Sequence, residues 1–241
     1  MKDFFDWLLD GKTLGIIGII LAVYIYKVQK KQSAKPNKAI EETKEELKEI
    51  KALLQTQSLD IAKANKPSDE LSSTDKQTIE AFDRYNTNPQ TAEDWFVKGF
   101  TAHENNNYDN AITYYNKSIE LNPNYTEAYC NLGIAYAEGK QDYDIAIECF
   151  SKAIELDPNH ANAYAYLGTA YAGGKQDYDV AIKYFGKAIE LDPNYAIAYY
   201  NIGLAYGRQG NEEKKIEYYK DAAKLGVEEA QWWLCDNNIT W

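Results

Sequence analysis

Between residues 124 and 193 the apolar positions follow one rhythm twice. Tyr129, Leu132, Gly133 and Tyr136 fall at i, i+3, i+4 and i+7, the spacing of one face of an α-helix. After a polar gap Ala146, Phe150 and Ala153 take up the same spacing, so the segment predicts two amphipathic helices in succession. Asp157-Pro158 ends the second, because the residue before a proline is pushed out of the helical region. Aligning residues 124–158 with 159–193 gives 24 identities in 35 positions, including GKQDYD (139–144, 174–179) and KAIELDPN (152–159, 187–194). A unit this short cannot bury its own apolar face and must stack on its neighbours.

One copy carries Tyr129, Leu132, Gly133, Tyr136, Ala146, Phe150 and Pro158, and the next carries Tyr164, Leu167, Gly168, Tyr171, Ala181, Phe185 and Pro193. At these positions the chain resembles the tetratricopeptide repeat family, whose pattern is W-x2-L-G-x2-Y, then A-x3-F, then P, at a period of about 34. An earlier copy keeps Trp95, Gly99, Ala111, Tyr115 and Pro123, with Lys98 and Ala102 in place of Leu and Tyr. A fourth keeps Tyr199, Ile202, Gly203, Tyr206 and Tyr219 but puts Lys215 where the second helix expects Ala. The two middle copies carry one extra residue before their second helix. Residues 75–91 resemble a degenerate capping half-repeat. Residues 228–241 resemble one more first helix, with Trp233 as its aromatic opener and Asp236 and Asn237 where Leu-Gly would stand. A polar substitution there stops stacking, as a terminal cap requires. The resemblance implies an all-α helix-turn-helix solenoid, with four repeats over residues 92–227 and a capping helix over 228–241.

The N-terminal ninety residues follow a different pattern. Thr13 to Tyr26 is uncharged, and counted from Trp7 the apolar stretch reaches 20 residues, enough to span a bilayer. Phe4, Phe5 and Trp7 at one end and Tyr24 and Tyr26 at the other are placed like interfacial aromatic belts. An acidic start (Asp3, Asp6, Asp10) and no small-residue cleavage site argue against a signal peptide, so residues 1–27 are expected to be an uncleaved single-pass anchor. Lys27, Lys30, Lys31, Lys35 and Lys38 follow it, which places the repeats in the cytoplasm and the N-terminus outside. Gly11, Gly15, Gly18 and Ala22 share one helical face, a surface that lets a second helix approach. Residues 28–66 predict a basic juxtamembrane segment and helical stalk. Ile40, Leu47, Leu54 and Ile61 mark there a weak heptad, so a homodimer through anchor and stalk is expected. Residues 67–74 read as a polar linker.

Composition then narrows the function. Of the formal net charge of -11, the whole excess of acid lies beyond residue 90, which disfavours nucleic acid as a ligand of the repeats. Cys130, Cys149 and Cys235 form no CxxC pair, and His103 and His160 are too few for a metal site, so neither a metal nor a cofactor is expected. No GxxxxGK[ST], HExxH or GxSxG occurs, and no enzymatic activity is expected. The family resemblance implies protein recognition in a concave groove lined by the first helices. By the same resemblance, residues one place after each aromatic opener and one place after each Gly should face that groove. These are Phe96 and Phe100, Cys130 and Ile134, Ala165 and Thr169, Tyr200 and Leu204. Relatives that clamp the acidic tails of chaperones present Lys and Asn at those places, and this chain does not. The expected partner is therefore a protein or peptide with an apolar anchor and basic flanks. The expected role is a membrane-anchored scaffold at the cytoplasmic face, the alternative being an exported chaperone.

Overall fold

The computed structural model describes residues 36–64, 72–85 and 89–241. The expected anchor and its small-residue face at Gly11, Gly15, Gly18 and Ala22 lie outside these residues. No described helix is long and apolar enough to cross a membrane. Among the described residues all regular structure is helical: α1 (Pro36–Ala64), α2 (Ser73–Tyr85), α3 (Ala92–Glu104), α4 (Tyr108–Leu121), α5 (Thr126–Lys140), α6 (Tyr143–Leu156), α7 (Ala161–Ala170), α8 (Tyr178–Leu191), α9 (Ala196–Arg208), α10 (Glu212–Lys224) and α11 (Glu228–Asp236). A π-helical turn, Tyr171–Lys175, continues α7. The described residues divide into two compact units, one up to Glu104 and one from Asn105 on.

In the first unit α1, α2 and α3 pack on one another. Two reciprocal caps begin the shorter helices. Ser72 and Asp75 exchange side-chain and backbone hydrogen bonds at α2, and Thr91 and Asp94 do so at α3. Asp94 is buried and fully engaged, accepting from the backbone N–H of Gln90 (2.9 Å) and Thr91 (3.1 Å) and from Gln55 Nε2 of α1 (2.9 Å). The second half of the expected stalk is thus part of a packed unit. Its buried stripe is Leu54, Ser58 and Ala62, spaced by four, while Ile61 of the expected heptad is only half-buried. Ser58, fully buried, donates through Oγ to the carbonyl of Thr78 at 3.3 Å. The free-stalk expectation is corrected there: a stripe at i, i+4, i+8 follows the period of a helix lying on intramolecular neighbours.

In the second unit each helix packs on the next along the chain, from α4 through to α11, and the first helices α5 and α7 also touch directly. A ladder of side chains marks the repeat. Asn107, Asp142, Asp177 and Asn211 cap α4, α6, α8 and α10, each accepting from the backbone N–H three residues on. Such a cap stabilises its helix by about 1 kcal/mol. At the other end Asn122, Asp157 and Asp192 accept from the N–H two residues on, which turns the chain into the next copy. The extra residue of the middle copies is absorbed in the turn: Tyr136 and Tyr171 carbonyls accept from the N–H groups of Asp142 and Asp177, one residue further than in the fourth copy, where Asn211 reaches Tyr206.

Close approach of the paired helices rests on the glycine after each Leu or Ile. A Cβ on Gly133 would lie 2.7 Å from Phe150 Cε1, and one on Gly168 2.8 Å from Phe185 Cε1. The aromatic of the second helix therefore packs directly against the backbone of the first. Tyrosine adds further contact between helices, through pairs such as Tyr171–Tyr184 (5.5 Å between centroids) and Tyr200–Tyr219 (5.1 Å). Lys215, out of pattern in the fourth copy, is accounted for by the end of the array: its ammonium lies 4.1 Å from the Trp233 ring centroid of α11 and 3.3 Å from Glu212.

Candidate peptide-binding groove

The residues expected to line the groove separate by burial. Phe96 and Phe100 of α3 are 0% and 1% exposed, inside the first unit. Cys130 is buried against Ala153 and Ala163, and Ile134 against Ala146, Phe150, Leu167 and Ala170. Ala165 belongs to the core around Phe185. Half-buried Tyr200 stacks on Tyr219 and joins the core around Val227 and Leu234. For Phe96, Phe100, Cys130 and Ile134 the expectation of an open lining is corrected. A first helix in this array has neighbours before and after it, and these residues are spent on packing. Thr169 and Leu204, one place after their glycines, are exposed.

Those two residues share a cavity of about 510 Å³, within the range of ligand sites in proteins. One wall is Thr169, Ala172, Gly173 and Gln176, at i, i+3, i+4 and i+7 along α7 and its π-turn. The other is Asn201, Leu204, Ala205 and Arg208, at the same spacing along α9, and Phe185 and Tyr178 of α8 also line the cavity. Thr169 donates through Oγ1 to the carbonyl of Ala165 at 3.0 Å, which leaves its lone pairs free to accept. The Asn201 side chain and Arg208 have no hydrogen-bond or ion-pair partner among the described residues.

The opening follows from a few differences between nearly identical copies. One repeat earlier, Ile134 stands where Thr169 stands, Glu138 where Gly173 stands, and Tyr166 where Asn201 stands. There Ile134 is buried and Tyr166 stacks on Phe150 at 5.5 Å, so the junction is filled. At the next junction the long aliphatic side chain, the ring and the acid are all gone. Asn201, Gly173, Gln176 and Arg208 were not among the expected lining. Their signal was in the sequence: the two rows at helical spacing, and the places where copies of 24 identities in 35 diverge.

The two buried cysteines, Cys130 and Cys149, show no reactive character. Burial pushes the Cys130 thiol well above its ordinary range, with Glu127 adding to the shift, and burial with Glu148 pushes Cys149 up to about 12. Both stay protonated near neutrality, and the thiol is a poor nucleophile. Among the described residues no group of three or more His, Cys, Asp or Glu side chains could hold a metal ion.

A family model described as TPR repeat matches residues 101–138, 140–173 and 175–210, and one described as tetratricopeptide repeat matches 196–225. No curated protein matches the chain. Among solved structures, a crystal structure of MamA is 29% identical, with a TM-score of 0.55, covering 65% of this chain and 92% of that one. Another crystal structure of the MamA protein is 26% identical at a TM-score of 0.50, covering 74% and 95%. A MamA structure from Desulfovibrio magneticus RS-1 is 22% identical at a TM-score of 0.54, covering 73% and 94%, and shows the fold alone. Family models and neighbours thus fall on the same copies that the capping ladder marks, and residues 101–225 form an all-α tetratricopeptide-repeat solenoid.

Proposed function

We propose that this chain is a membrane-anchored scaffold that recruits a partner protein at the cytoplasmic face through the first-helix surface of its repeats. The observation that carries the reading is the open junction between α7 and α9, an accessible cavity with polar and apolar walls in an array whose preceding junction is closed. The fold is one used for protein–protein interaction, and the tetratricopeptide neighbours support a scaffold role. An acidic module around the groove favours partners whose apolar anchor is flanked by basic residues, chiefly through faster encounter. The uncharged run from Thr13 to Tyr26, followed by lysines, supports the anchor and its orientation. The small-residue face from Gly11 to Ala22 supports pairing of anchors.

A photo-crosslinking residue at Leu204, compared with one at Lys187 on the second-helix surface, tests the binding face. Adducts to a discrete partner at position 204 and none at 187 are expected, and the reverse pattern would move the ligand to the other face. Orientation is read separately by fusing to the C-terminus a reporter active only in the cytoplasm or only outside it. Activity of the cytoplasmic reporter is expected, whereas activity of the external one would make the chain an exported folding factor.

A further inference from the structure

Among the described residues the most exposed large apolar side chain is Trp232 of α11, at 69%. Its register explains the exposure. α11 begins at Glu228, so Ala230, Trp232 and Leu234 take the places that Ala198, Tyr200 and Ile202 hold in α9. Burial agrees, since Ala230 and Leu234 are sealed as Ala198 and Ile202 are. The expectation that Trp233 opens this helix is thereby corrected: Trp233 stands edge-on to Tyr219, 5.1 Å between centroids. At the place of Trp232 each earlier first helix of the second unit meets the one that follows. Cys130 shares a core with Ala163, Ala165 with Ala198, and Tyr200 packs on the core that holds Ala230. No helix follows α11 among the described residues, so the joining face of the array stands open there. Acids flank it. Glu228 and Asp236 lie one turn before and one turn after Trp232 on the same side of α11, with Glu229 beside them. None of these three side chains has a hydrogen-bond or ion-pair partner among the described residues, whereas six acids of the same unit each hold a lysine. Glu228 and Glu229 suit the first turn of a helix, but Asp236 ends the last turn, where a negative charge opposes the helix dipole.

We infer that this end face docks a basic amphipathic helix of another protein, which continues the array. Small side chains such as alanine lie against Trp232, and Lys or Arg one turn to either side lies against Glu228 and Asp236. The facing residue is small because an alanine takes that place at each earlier junction, whether the residue opposite is Cys130, Ala165 or Tyr200. The helix is basic because the carboxylates around Trp232 have no cation of their own, and an indole ring attracts a cation placed over it. The neighbouring ring already holds one, the Lys215 ammonium at 4.1 Å from the Trp233 centroid. Charge also argues against a second copy of this chain as the occupant. α11 laid on α11 would set the same carboxylates against one another, and like charges brought together suppress association. The face lies on α11, apart from the cavity between α7 and α9, and its occupancy is independent of the groove.

The test uses the full chain in detergent and a fluorescein-labelled helical peptide of about 18 residues, with alanine along one face and lysine along the other. Anisotropy titration is expected to show saturable binding, weakened about tenfold in Trp232→Ala and about threefold in Asp236→Asn. Both positions are exposed, so neither variant threatens the fold. Leu121→Ser, at another exposed apolar side chain, should bind like the parent. A peptide with glutamate in place of lysine, and the lysine peptide broken by a central proline, should each bind more weakly by about tenfold or more. Equal binding of the glutamate peptide overturns the basic partner, and equal binding of the proline peptide overturns the helical one. Binding that survives Trp232→Ala unchanged, or no binding by the lysine peptide, overturns the docking face. If Leu204→Ala abolishes binding while Trp232→Ala leaves it intact, the peptide sits in the groove and the end face fails while the groove reading stands. Sedimentation of the parent and of Trp232→Ala in detergent should give species of equal size. A smaller species in the variant would assign the face to a second copy and overturn the foreign helix.

Discussion

Phe185→Ala is expected to lower the unfolding free energy by about 3 to 5 kcal/mol, the usual cost of deleting a fully buried ring. The ring is 1% exposed, lies close against Gly168 and shares its core with Ala165, Ala181, Ala188, Ala198 and Ile202, of which the four alanines are too short to move in and fill the space. For a domain stable by about 5 to 15 kcal/mol, that loss is a large fraction of the total. Urea unfolding followed by circular dichroism measures it, and a double-mutant cycle identifies its origin. Gly168→Ala alone should destabilise, because its methyl would meet the Phe185 ring, and should cost less once the ring is gone. If the two substitutions add to within about 0.5 kcal/mol, the ring and the glycine are not coupled and the close-approach account fails.

The second large effect concerns α1. Ala62→Glu puts a carboxylate at a position of zero exposure, where an unpaired charge costs several kcal/mol, and should release α1 from the first unit. Ile61→Glu, one residue away and half-buried, should be far milder. The readout is hydrogen exchange of residues 51–64 with sedimentation of the intact chain in detergent. A dimeric heptad seam through Ile40, Leu47, Leu54 and Ile61 makes the opposite prediction, with Ile61→Glu disruptive to self-association and Ala62→Glu tolerated. A protected α1 in Ala62→Glu together with a monomer in Ile61→Glu would restore the stalk reading over the packed one.

These two tests fall where sequence and structure part. Repeat boundaries and helix pairs were legible because the pattern from Tyr129 to Pro158 returns almost unchanged 35 residues later. The role of α1 was not, because its buried stripe contains Ser58 and Ala62, which a search for large apolar residues passes over in favour of Ile61. Groove lining was legible only in part, since the exposure of a first-helix residue is decided by the adjoining copy. Ile134 and Thr169 occupy the same place in their repeats, yet one is sealed by Leu167 and Ala170 and the other opens toward Asn201 and Leu204. A motif that treats every copy alike cannot register that difference. Comparing the copies with each other can.

The ladder of caps at residues 107, 142, 177 and 211 has a mechanical consequence. A chain tethered at one end and loaded by a partner at the other would feel tension along an array of nearly equal rungs, each supported only by the rungs beside it. Such an array yields one rung at a time. Each rung frees about 35 residues of contour, roughly 120 Å when drawn out, before the next begins to bear the load. Stretched in this way, the molecule is an extensible tether with equal steps, able to lengthen under strain without releasing either end.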